Sequence, residues 1–168
     1  MTAFGQLTEN LRQIHSLYVE LVELGEQKKE HIVHNRLNEL TQTVARESKA
    51  LKRLGDMEKE RVQAMAALQQ ELGLKPDPGL TLDDTLKMIM KSADKQQLME
   101  LRDAIAAEAK KLQSLNETNQ LLVKQGLDFV SLSLDLLTTG PEDDMLYQAP
   151  AQQTASSAHR KRLFDTKA

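Results

Sequence analysis

A seven-residue repeat through the last long apolar-patterned stretch, residues 94–139, constrains this chain more than any other feature. Its core-register positions recur three and four residues apart at Leu98, Leu101, Ile105, Glu108, Leu112, Leu115, Asn119, Leu122, Gly126, Phe129, Ser133 and Leu136. That spacing sets them along one seam of an α-helix, and such a seam is stable when it lies against other helices. Up to Gln120 the intervening positions are mostly polar or charged, among them Asp94, Lys95, Glu100, Arg102, Asp103, Lys110, Lys111 and Glu117. This half is therefore a solvated rod with one buried stripe.

Residues 121–137 break that pattern, because ten of the seventeen are apolar and three are charged. On a helix these ten point in every direction, and a helix apolar all round needs cover on all sides. Residues 130–136 also alternate with period two, which alone would indicate a strand. The heptad enters them unbroken, however, and no other segment could pair with them as a sheet, so the stretch reads as helix. Three charges in so short a span argue against a transmembrane segment. Two accounts of the surplus apolar surface stand side by side: a buried bundle end or self-association seam, and a surface kept for another protein.

The rest of the chain supplies the partners for this rod. The spacing predicts a first helix over residues 2–34, on the stripe Phe4, Leu7, Leu11, Ile14, Tyr18, Leu21, Gly25, Lys28 and Ile32. Gly25 and Lys28 stand where apolar residues are expected, and a glycine inside a helix points to a bend or a close helix approach. Asn35 and Asn38 are both competent N-caps, which places a turn at about residues 34–38. A second helix over 37–73 carries Leu37, Leu40, Val44, Leu51, Leu54, Val62, Met65, Leu68 and Leu72. Gly73 and Leu74 close it, and Pro76 and Pro78 forbid continuation. Thr81, with Asp83 and Asp84 behind it, opens a short helix over 82–90 whose Leu82, Leu86, Met88, Ile89 and Met90 fold back over the others. The last helix, 93–139, ends at Gly140-Pro141. Beyond it, residues 141–168 are rich in Gln, Ala, Ser and Thr and are expected to be a flexible tail.

The fold class expected is thus all-α: an elongated antiparallel three-helix bundle or coiled coil over residues 1–140, with one additional short helix and a disordered C-terminal tail. Composition agrees, since only 3% of the 168 residues are aromatic while 28% are charged. The net charge of −3 provides no broad positive surface, so no nucleic-acid partner is expected, and four basic residues at 159–162 without stacking aromatics do not change that. Thr2, Gln6, Thr8, Glu9 and Asn10 interrupt any apolar run at the start, so the expected location is the cytoplasm, with no stable membrane insertion.

Catalytic constellations are missing. His31 and His34 lie one helical turn apart, but a metal needs further ligands and the chain has no cysteine. There is no Glu-x-x-His, no glycine-rich phosphate loop, no Gly-x-Ser-x-Gly and no His-Glu-x-x-His, so neither an enzyme nor a cofactor is expected. Met57, Met65, Met88, Met90 and Met99 fill a core or form an adaptable binding surface.

Two segments carry a family resemblance. Asn116-Glu117-Thr118-Asn119-Gln120-Leu121-Leu122 is similar to the Asn-x-x-Asn and paired leucines on the last helix of FlgN-type flagellar export chaperones. Leu146-Tyr147, followed by Ala149, Gln152, Gln153 and Thr154, resembles that family's Leu-Tyr-Gly-x-x-Gly segment, with Gln148 and Ala151 where glycines are common. The region from Gly25 to Leu40, with Glu58-Lys59-Glu60-Arg61 after it, also looks like the family's first helical hairpin. The resemblance implies a cytosolic, non-enzymatic chaperone of the flagellar type III export system. Such a chaperone holds the C-terminal helices of hook-filament junction proteins and delivers them to the cytosolic domain of the export gate. The substrate-binding residues expected are Asn116, Asn119, Leu122, Phe129, Leu132 and Leu136, and Tyr147 is the expected gate-docking residue. The rival reading is a structural coiled-coil protein that forms a permanent homo-oligomer through its last helix.

Overall fold

A computed structural model describes residues 2–139 of the chain. The expected tail lies outside the described residues, and with it Tyr147. Every element is helical: α1 Ala3–Val33, α2 Leu37–Glu71, α3 Leu82–Met88 and α4 Ser92–Thr138. The described residues fall into two units, one ending at Lys124 and one beginning at Gln125.

Each helix boundary has a local cause. Thr2 caps α1 by accepting from the Gly5 N–H at 3.2 Å, and the Ala3 N–H donates to the Glu71 carboxylate of α2 at 2.8 Å. At the far end of α1, Arg36 N–H donates to His31 O (2.8 Å) and Asn35 N–H to Ile32 O (3.2 Å), while Asn35 takes a positive φ of 53°. This is a Schellman ending, with asparagine in the left-handed position that glycine usually fills. Of the two competent N-caps, Asn35 instead closes α1 and Asn38 lies inside the first turn of α2. Arg36 stands at the N-cap of α2 without a side-chain capping bond; its guanidinium instead pairs with Glu30 of α1 at 3.5 Å. Asparagine suits both roles, and the turn of only three residues requires a left-handed residue more than it requires a cap.

The end of α2 repeats the motif with the expected residue. Gly73 has φ of 78°, its N–H donates to Gln70 O at 2.9 Å, and Leu74 N–H donates to Gln69 O at 2.8 Å. The following Pro76–Pro78 loop is held by Gln69, a buried side chain whose Oε1 accepts from Asp77 N–H at 2.9 Å. Thr81 and Asp84 form a reciprocal capping box at the start of α3. The expected span of α3 to Met90 is too long: the helix stops at Met88, Ile89 is extended, and the Met90 side chain is fully exposed.

In the first unit, α1 and α2 run antiparallel, as shown by Asn10 Nδ2 donating to Met57 O (3.0 Å) and Lys28 Nζ to Glu47 Oε1 (2.7 Å). Leu98 of α4 packs with Ala3, Leu7 and Leu11 of α1, Met65 and Leu68 of α2, and Leu86 of α3. Farther along, Leu112 of α4 packs on Leu21 and Leu24 of α1 and Ala50 of α2. The order of these contacts makes this part of α4 parallel to α1. Fully burying one such leucine stabilises the fold by roughly 2 kcal/mol, so α1, with Leu7, Leu11, Ile14, Leu17, Leu21 and Leu24 inside, anchors the unit.

The buried face of α2 differs from the leucine stripe expected. Thr43, Ala50, Met65, Leu68 and Gln69 are inside, whereas Leu37, Val44, Leu51, Val62 and Leu72 are exposed. Small Thr43 and Ala50 bring the backbone of α2 close to α1. The same rotation lets Glu47 reach Lys28, which explains a lysine in the core register of α1.

Candidate functional site: an exposed apolar helix

Gly25 determines how α4 meets α1. A Cβ added there would stand 2.6 Å from Leu115 Cδ2 and 3.2 Å from Leu115 Cγ, so any larger residue requires the buried Leu115 side chain to shift. One turn on, Asn119 is 3% exposed and its Nδ2 donates to Gly25 O at 2.9 Å, while its Oδ1 has no protein partner. The polar residue at this core position therefore fixes the register of α4 against α1.

The second unit has the opposite character. From Gln125 to Thr138 the chain is helical, and Leu127, Phe129, Val130, Leu132, Leu134, Leu136 and Leu137 are all exposed, Phe129 at 71% and Leu137 at 82%. Of the accounts left open for this surplus, a buried bundle end is not what the described residues show. Nor is the helix apolar on every side. At about 100° per residue, Asp128, Ser131, Asp135 and Thr138 fall within a strip of about 80°, and the seven apolar residues occupy about 220° of the remaining circumference. Ser133 and Thr138 return their hydroxyls to the carbonyls of Phe129 and Leu134, both at 2.8 Å, and so present no free donor. The surface offers mainly dispersion contacts and burial, with the exposed amide of Gln125 between Leu132 and Leu136.

The expected site residues divide between the two units. Phe129, Leu132 and Leu136 share one exposed face of the second, whereas half-buried Asn116 and Leu122 and buried Asn119 belong to the first. The sequence-based set omitted Leu127, Val130, Leu134 and Leu137 from the exposed helix. Angular placement around the axis, not heptad register, is the signal that would have included them.

Titratable groups with shifted affinities gather around α3. Hydrogen bonds from the Thr81 hydroxyl first, then from Lys87 and the Thr81 backbone, hold the Asp84 carboxyl down at about 2. Asp84 in turn raises Lys87, and hydrogen bonds to Asp83 and Asp103 raise Arg102. All three serve caps and surface pairs. Of the histidines, His31 is half-buried with an unpartnered Nδ1 and His34 is exposed. Among the described residues no three His, Cys, Asp or Glu side chains gather as a metal site, and no helix is long and apolar enough to cross a membrane. Of the methionines, Met65 is buried while Met88, Met90 and Met99 are exposed.

Fold and surface together define a class: an all-α protein carrying an uncovered apolar helix. Residues 1–155 match the family model described as FlgN protein, and the chain belongs to that family, the flagellar export chaperones of type III export. It is also similar to YvyG of Bacillus subtilis (strain 168), described as uncharacterized, at 23% identity over 165 residues, covering 96% of this chain and 97% of the relative. No solved structure matches the chain.

Proposed function

We propose that this protein is a cytoplasmic export chaperone that binds the C-terminal helices of flagellar hook-filament junction proteins, prevents their premature association and delivers them to the export gate. The observation that carries this reading is the exposed apolar surface of residues 125–138, on a chain of the FlgN family. Amphipathic helices that would otherwise self-associate bury their apolar faces against such a helix, and this mode of binding needs no nucleotide site in the chaperone. Phe129, Leu132 and Leu136 of the second unit make the contact, and Asn119 acts within the first unit by holding the register of α4 against α1. Tyr147 is the gate-docking anchor, since a lone aromatic buries a large rigid surface at low entropic cost.

The test replaces both Phe129 and Leu132 by aspartate and measures binding to a purified junction protein by calorimetry, with far-UV circular dichroism alongside. Binding should be abolished while helicity and melting temperature stay near wild type. Collapse of both would make these residues ordinary core. A stable oligomer of the free wild-type chain at micromolar concentration in sedimentation, lost in the variant, would favour the homo-oligomer instead.

A further inference from the structure

The apolar surface of the second unit is too wide for one partner helix. A helix typically buries a stripe of about 100° against a neighbour, whereas the apolar residues here span about 220°. They form two ridges. Phe129, Leu132 and Leu136 lie within about 60° of one another, and Leu127, Val130, Leu134 and Leu137 within about 80° on the other side. The line between the ridges carries Gly126, where an added Cβ would meet nothing within 4 Å, and Ser133, whose hydroxyl is tied back to Phe129 O. These small residues leave a shallow groove with ridges on either side.

The area points the same way. Taken as a cylinder about 11 Å wide and about 21 Å long, with a water-sized skin, residues 125–138 present on the order of 900 Å². One partner helix would cover roughly 250 Å² of this, or roughly 500 Å² counting both sides, below the ~1,000 Å² expected of a specific interface. A second copy of this helix would do no better and would leave the other ridge wet. Two partner helices would bury roughly 1,000 Å² in all, which reaches that threshold.

We infer that the partner places two amphipathic helices on this surface at once, one along Phe129, Leu132 and Leu136 and one along Leu127, Val130, Leu134 and Leu137. The inference rests on the proposed function for the identity of the partner, a junction protein. Its chemistry is then specific: two helical segments separated in sequence, each with a single apolar face.

Leu132 and Leu134 point about 160° apart, one from each ridge. A photoreactive phenylalanine analogue is placed at one or the other position of the full chain, which is irradiated with a purified full-length junction protein, and the cross-linked peptides are identified by mass spectrometry. The two positions should capture two non-overlapping segments of the junction protein. Capture of one common segment, or capture from only one position, overturns the two-helix inference and leaves the proposed function standing. Capture of a second copy of this chain, or of nothing from either position, overturns the proposed function as well.

Discussion

Replacing Gly25 by alanine sets two physical effects against each other. Alanine is favoured over glycine inside a helix by about 1 kcal/mol. Against this, the new Cβ would lie 2.6 Å from Leu115 Cδ2 and 3.2 Å from Cγ, so a buried leucine must leave its position. Overpacking of this kind costs about 1–3 kcal/mol. Leu115 is further restrained because displacing α4 would stretch the bond from Asn119 Nδ2 to Gly25 O, on a side chain whose Oδ1 is already unpartnered. The strain should prevail, giving a net loss of about 1 kcal/mol in urea denaturation. Leu115→Ala alone should lose about 3 kcal/mol through the cavity it leaves. In the double variant the strain disappears while the propensity gain remains, so the total loss should be about 2 kcal/mol, and the cycle should show about 2 kcal/mol of favourable coupling. Stabilisation by Gly25→Ala, with the two changes additive to within about 0.5 kcal/mol, would refute the close approach as the reason for glycine at this position.

Asn119→Leu removes one hydrogen bond but also removes a buried unpartnered oxygen, so it should raise stability by about 1 kcal/mol and raise the melting temperature; a fall would mean that a water or another group satisfies Oδ1. Asp84 has a lowered affinity for its proton, so the stability it lends to the cap of α3 is present above about pH 4 and is lost as pH falls through about 2. A side-chain carboxyl carbon titration should give its midpoint near 2, and a midpoint at the ordinary 3.8 would show that the capping box is open in solution. Tyr147→Ala should weaken binding to the cytosolic domain of the export gate and leave substrate binding and melting temperature unchanged, since loss of either would place the residue in the substrate site or in the fold.

The helix limits were legible where a residue has one structural use. Gly73 before two prolines and Thr81 before two aspartates mark their boundaries in sequence as they do in space. Asn35 was not legible, because a residue competent to start a helix and to end one leaves the choice to the geometry of the turn. The face of α2 was misread for a different reason. Hydrophobic periodicity identified Leu37, Val44 and Leu51, but close packing on α1 selected Thr43 and Ala50, and only the tertiary partner Glu47 accounts for Lys28. Gln69 gave no sign of its role, since a side chain that pins a loop eight residues on looks like any polar helical residue. The surplus of apolar residues at 121–137 was visible, while their arrangement as two ridges beside a polar strip required the helix to be set out in space.

The central claim, that the apolar helix of the second unit is where the partner binds, is tested most directly by amide hydrogen exchange on the full chain, free and saturated with a purified junction protein. An uncovered helix opens readily, so residues 125–138 should exchange among the fastest of the helical amides in the free protein. They should slow by at least about tenfold in the complex, a shift of about 1.4 kcal/mol in opening free energy, while the protection of α1 and α2 stays as it was. Unchanged exchange over 125–138, with new protection appearing instead on the exposed leucines of α2, would contradict the account.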